Sequence, residues 1–148
     1  MGSVTLEVLK GRIDSTDVCP EDNVKDTKHF IATHHGTFHA DEVMACVMLK
    51  CLPEFEQLPV VRTRTQDVIN EAKIVVDVGG TYEPQLHRYD HHQSTFVSTY
   101  SEDYPEIKLS SAGLVYKHFG DAVIEALCGK LSEKALAAIK QKTYDTLI

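Results

Sequence analysis

The sequence predicts one mixed α/β domain, a mostly parallel sheet flanked by helices. Three observations carry that expectation. Strand-like and helix-like segments alternate from His29 onward, the order expected when helices form the crossovers of a parallel sheet. The run Ile74-Val75-Val76-Asp77-Val78 is almost continuously apolar, as in a strand covered on both faces. The chain has 148 residues, 43% apolar and 25% charged, which is enough for one buried core.

The elements follow in order. Residues 1–28 contain the polar, aperiodic stretch GRIDSTDVCPEDNVKDTK and read as a flexible N-terminal lead-in, with residues 29–148 as the folded unit. Phe30-Ile31-Ala32-Thr33 is a short strand. Between Asp41 and Leu52, apolar residues at Val43, Met44, Val47, Met48 and Leu52 share one helix face, and Pro53 ends the run. Val60 to Thr63 is the next strand, Gln66 to Glu71 a short helix, and Ile74 to Val78 a third strand stopped by Gly79-Gly80. Thr81 to about Lys108 reads as a long polar loop. Ser110 or Ser111 then caps a helix reaching about Leu127, with Leu114, Val115, His118, Val123, Ile124 and Leu127 on its apolar side and Gly129 closing it. Ser132 and Glu133 open a last helix. It stops at Ile148 without a cap, so the chain is expected to be cut inside an element.

Charge and cysteine usage narrow the function. With 15 basic and 22 acidic residues the formal net charge is −7, so the bulk field repels nucleic acid. A nucleic-acid substrate then requires cations, a local basic patch or another domain. No run approaches the roughly 18 apolar residues of a membrane span, and Met1–Lys10 lacks the apolar block of a secretory signal. The four cysteines form no C-x-x-C pair, and Cys46 and Cys51 fall in an apolar helical stretch as small core residues. A reducing intracellular compartment is expected.

Histidine is the unusual component. There are eight, and six fall in two short clusters. The first cluster lies in THHGTFHADE, between a strand and a helix, where open α/β sheets collect ligands. His34 or His35, with His39 and Asp41, supply nitrogen and oxygen donors for a divalent metal. Asp77 in IVVDVGG is costly to bury unless paired or bound to metal, and the glycines after it let a ligand approach the backbone. The competing role for Asp77 is a strand-terminal carboxylate bonding those glycine amides. In Tyr89-Asp90-His91-His92, His91 is a candidate metal ligand and Asp90 can fix the tautomer of a neighbouring imidazole. His92 can face substrate as a proton donor.

Each group falls just after a predicted strand, so one sheet edge can gather all of them. His/Asp ligation without thiolate suits one or two divalent ions, Mn²⁺ best, with Mg²⁺, Zn²⁺ or Fe²⁺ compatible. Two such ions bring the charge from −7 to −3 and suit phosphoryl chemistry. Arg88, beside the Asp-His-His run, is a candidate fork for phosphate oxygens, whereas Arg62 and Arg64 read as exposed strand-end charges.

These motifs resemble those of the DHH phosphoesterase superfamily, whose name matches Asp90-His91-His92. THHGTFHADE resembles its first motif and VVDVGG its second. Within the superfamily, GTFHADE, VRTR, DVGGTY, HRYDHHQSTF and KLSSAGLVYKHFG resemble the eukaryotic melanocyte-proliferating-gene product family, over about residues 29–128. The resemblance implies a Mn²⁺-dependent hydrolase of the DHH N-terminal domain type, acting on RNA as an exonuclease from the three-prime end, in nucleus and mitochondrion. It implies metal positions at His34, His39 and Asp41, a bridging Asp77, His91 on a second metal, and catalytic roles for His92 and Asp90. It also implies a fourth motif, an aspartate beyond the Asp-His-His helix, and a C-terminal substrate-binding domain. Neither is found, since Asp145 falls too early, so an incomplete catalytic domain is expected. The alternatives are a metal-binding or interaction domain without turnover, and a metal-dependent hydrolase of another small substrate.

Overall fold

Short apolar runs become strands where they pair on both sides. The computed structural model describes residues 29–148. The lead-in expected over 1–28, including Cys19, lies outside the described residues. Ile31–Thr33 forms β1, Val60–Arg62 forms β2 and Ile74–Val76 forms β3. Ala40–Lys50 is α1 and Gln66–Glu71 is α2. Tyr82–Glu83 (β4), a 3-10 turn at Pro84–Leu86 and Arg88–Tyr89 (β5) follow. Ser111–Cys128 is α3 and Glu133–Leu147 is α4.

The sheet order is β2-β1-β3-β5-β4. β2-β1, β1-β3 and β3-β5 are parallel, and β4 joins antiparallel to β5. Ile31 lies opposite both Val60 and Ile74, and Val76 opposite Tyr89. The mixed α/β architecture with a mostly parallel sheet is therefore as the sequence predicts.

Alternation along the central strands divides the core. Ile31, Ile74 and Val76 join one buried cluster with Ala45, Leu49, Phe55, Leu114, Val115 and Tyr116. Phe30, Ala32 and Val75 point the other way and join Ile69, Ala72 and Val78. One sheet face thus carries α1, α3 and α4, and the opposite face carries α2. Because β1 leads outward to β2 while β3 returns to the other side of β1, the chain reverses direction between β1 and β3. In such sheets the crevice at the carboxyl ends of those two strands is where ligands collect.

Four expectations need correction. On α1, Val43 and Val47 are exposed while Ala45, Met48 and Leu49 are buried, so the face on the core is turned from the one expected. The stretch 81–108 is not a continuous loop: it contains β4, the 3-10 turn, β5 and an isolated bridge from Thr99 to Lys108. Two-residue strands are too short to show a period, and their pairing to β3 forms them instead. The third strand ends at Val76, because Asp77 takes a left-handed backbone at φ 57°. His118 is exposed rather than in the core, its Nε2 2.8 Å from the Tyr82 hydroxyl, and Leu127 is 70% exposed. Ser110 is the residue that caps α3, accepting from the Gly113 amide. Among the described residues no helix is long and apolar enough to cross a membrane.

Candidate metal centre

The turn from β1 into α1 carries the first histidines. Of the adjacent pair, His34 is buried at 2% exposure while His35 is exposed. His34 Nδ1 faces the His35 carbonyl at 3.2 Å, and a ring nitrogen that bonds a carbonyl must carry the proton. Nε2 faces two carboxylates, 3.5 Å from Glu42 Oε2 and 3.4 Å from Asp77 Oδ2. Among the described residues, neither His34 Nε2 nor Glu42 Oε2 has a hydrogen-bond partner. Buried acceptors facing one another are mutually repulsive, and a cation among them removes the penalty.

His39 completes this group from the N-cap of α1. Its backbone N–H donates to Glu42 Oε1 at 2.8 Å, leaving Oε2 for the cluster. One donor atom each from His34, His39, Glu42 and Asp77 falls within 4.8 Å of the others. Glu42 was missed in the sequence. The signal was present as a capping-box carboxylate three residues after the N-cap, whose second oxygen such a box leaves unused.

Asp77 belongs to a second group with His91 and His92, again with ligand atoms within 4.8 Å. It is buried, and that burial raises its carboxyl above the usual range, with Asp41 adding to the effect and His92, His91 and Ser111 opposing it. The left-handed backbone at Asp77 is a strained conformation that aspartate tolerates better than most side chains. Gly79 and Gly80 follow at φ 93° and 65°, which side-chain-bearing residues seldom adopt. This turn brings the Gly80 amide to Asp90 Oδ2 at 2.6 Å.

Asp90 is buried and orders the loop after β5. Its Oδ1 accepts from the backbone amides of His91 at 2.7 Å and His92 at 3.2 Å, and from His92 Nδ1 at 2.6 Å. Burial alone would raise its carboxyl, but the bonds from the His92 ring, Gly80 and the His92 amide carry it below the ordinary value. Asp90 in turn raises the His92 imidazole through that ring bond, against the opposing effect of desolvation. The His91 and His92 rings stack at 4.5 Å, and His92 remains open to solvent.

Asp41 lies outside both four-centre and three-centre groups. Its Oδ2 accepts from the Ser111 amide at 3.0 Å and its Oδ1 from the Ala112 amide, so it caps the start of α3. It stands 3.5 Å from His91 Nδ1, beside the second group. Arg88 points elsewhere: its guanidinium donates to the carbonyls of Leu86, Asn70 and Ala72 at 2.9, 3.4 and 3.1 Å. Arg62 is more than a strand-end charge, because it donates to the His34 and Gly36 carbonyls and so fastens the histidine turn.

The fold and the site together define a mixed α/β domain with a candidate metal centre at the switch point of its sheet. The chain belongs to the MYG1 exonuclease family, described as an uncharacterised protein family (UPF0160), whose profile matches residues 30–148. It is 48% identical over 123 residues to the MYG1 exonuclease of Mus musculus, covering 80% of this chain and 32% of the relative. Identity to the MYG1 exonuclease of Homo sapiens is 45%, and to the MYG1 protein of Dictyostelium discoideum 43%, each over 80% of this chain and 33% and 35% of the relatives. The chain thus spans about a third of the length of the curated relatives it matches. No solved structure matches it significantly.

Proposed function

We propose that residues 29–148 carry the cation-dependent centre of a DHH-type phosphoesterase that cleaves RNA from the three-prime end. The observation that carries the proposal is the buried, unpartnered pair His34 Nε2 and Glu42 Oε2, facing Asp77 at the point where β1 and β3 diverge. The names of the mammalian relatives, MYG1 exonuclease, support the choice of substrate bond. Mn²⁺ suits the mixed imidazole and carboxylate donors best, with Mg²⁺ and Zn²⁺ compatible. Nucleus and mitochondrion are the proposed locations, from the family resemblance.

His34, His39, Glu42 and Asp77 would hold one cation, and Asp77 with His91 a second, with His92 beside it facing substrate. A divalent ion there supplies Lewis acidity toward a phosphoryl oxygen and offsets the charge that would repel the substrate. The chain's own residues do the rest. Asp90 holds the His92 ring in one orientation through Nδ1, which leaves Nε2 directed outward. Asp90 raises the His92 imidazole above its ordinary value, which favours a role as proton donor to a phosphate oxygen. Arg88 is given no role in this scheme, since Nη1 and Nη2 donate to backbone carbonyls.

A second reading is cation binding without turnover in this chain. One observation favours it: Asp145 accepts from the Tyr104 hydroxyl and from Gln141 Nε2 at 2.9 Å, away from either ligand group. Mn²⁺ titration by calorimetry, paired with an assay on RNA labelled at its five-prime end, separates the two. Stepwise shortening that disappears in Asp77→Ala supports the first. Binding without shortening supports the second. No binding removes both.

A further inference from the structure

Ser111 touches three of the residues around the second ligand group. It is fully buried at the first position of α3. Its hydroxyl lies 3.2 Å from Asp77 Oδ1 and 3.4 Å from His91 Nδ1, and its backbone amide donates to Asp41 Oδ2 at 3.0 Å. Capping does not explain this hydroxyl, because Ser110 already caps α3 through the Gly113 amide. In the sequence Ser111 was a candidate helix cap, at a helix start that could also face phosphate.

We propose that Ser111 is a positioning residue that builds the second cation site by holding Asp77 and His91 in register. The inference rests on the cation reading above. A hydroxyl has one proton, and a carboxylate can only accept. Once Ser111 donates to Asp77, its oxygen is left to accept, so His91 Nδ1 must carry its proton toward Ser111 and Asp41. The Nε2 lone pair of His91 is then the one free to bind a cation, and the tautomer is fixed before any ion arrives. Asp77 meanwhile keeps the carboxylate oxygen facing His34 free of this bond, since Ser111 engages Oδ1 and His34 faces Oδ2.

The test compares the chain with Ser111→Ala and Ser111→Cys. Mn²⁺ stoichiometry and affinity are read by calorimetry, and the His91 tautomer by nitrogen NMR on the metal-free chain. The wild type should bind two ions and show His91 as the Nδ1-protonated tautomer. Ser111→Ala should weaken the second ion by roughly 10–100-fold, the usual effect of removing a group that orients a ligand. The first ion should shift much less, and His91 should become a tautomer mixture. Ser111→Cys keeps the volume and loses the strong donor, so it should behave as Ser111→Ala does even if alanine unfolds the chain. Wild-type behaviour in Ser111→Cys, or equal losses at both ions, overturns the proposal. A wild type that binds no ion removes the cation reading, and an unchanged tautomer in the variants then removes the role of Ser111 separately.

Discussion

His92 Nδ1 lies 2.6 Å from Asp90 Oδ1, and the same oxygen also receives the His91 and His92 backbone amides. A carboxylate with that many donors is hard to replace. An amide of the same shape turns an acceptor into a donor and faces N–H groups with N–H. Asp90→Asn should therefore cost the metal-free chain about 1–3 kcal/mol near neutral pH. The pH dependence has a definite sign. Asp90 is held below its ordinary value, so its stabilisation is complete above about pH 4 and fades as pH falls through the lower folded value. His92 is raised, so its share is complete below about pH 6.5 and is lost as pH rises through the folded value. Urea denaturation from acid to mild alkali should show the wild-type advantage shrinking at the acid end. A deficit that is constant down to the acid limit would contradict the assignment.

Asp77 is common to both ligand groups, while His39 belongs to one. Asp77→Ala should abolish binding of both ions, whereas His39→Ala should remove the first and spare the second. Calorimetric titration with Mn²⁺ distinguishes them; identical isotherms for the two variants would mean that the groups are not separate.

Arg62 fastens the histidine turn by a fork. Nε and Nη2 reach the His34 and Gly36 carbonyls at 3.2 and 3.0 Å, and the guanidinium carbon sits 3.6 Å from the centre of the Phe38 ring. Arg62→Ala should destabilise the chain by about 1–2 kcal/mol and weaken binding at the His34 group. Arg62→Lys should not restore it, because a single ammonium cannot span two carbonyls and cover the ring. Thermal melts and Mn²⁺ affinities of both variants provide the check; full rescue by lysine would show that charge alone matters.

The described cysteines should differ in reactivity. Burial, with Glu42 adding to it, pushes the Cys46 thiol up to about 12, and burial also raises Cys51. Cys128 is exposed. In a Cys19→Ser background at about pH 8, iodoacetamide should label Cys128 first, Cys51 slowly and Cys46 only on unfolding, since the thiolate is the nucleophile. Mass spectrometry of the peptides over time reads the order, and early labelling at Cys46 would be the contrary result.

Much of this was legible in the residues. The apolar run of β3, the helix over 66–71 and the caps at Ser110 and Ser132 follow from local patterns, because each depends on neighbours in sequence. β4 and β5 were not legible, since pairing with β3 creates them and two residues show no period. Among the site residues, the approach of Asp77 to His34 and His91 could be anticipated from residue types at strand ends. The contribution of Glu42 could not, because it depends on which oxygen the N-cap amide takes. Ser111 was hidden for a similar reason: its hydroxyl faces Asp77 across the fold rather than its own helix.

The backbone at Asp77 has one more consequence. At φ 57° the residue must tolerate a left-handed turn while carrying a negative charge. Short branched acids and amides accept that dihedral several-fold more often than other side chains. Glutamate would preserve the charge and lengthen the reach but lose that tolerance, so homology-minded exchange of one acid for the other is blocked here by geometry before chemistry is consulted.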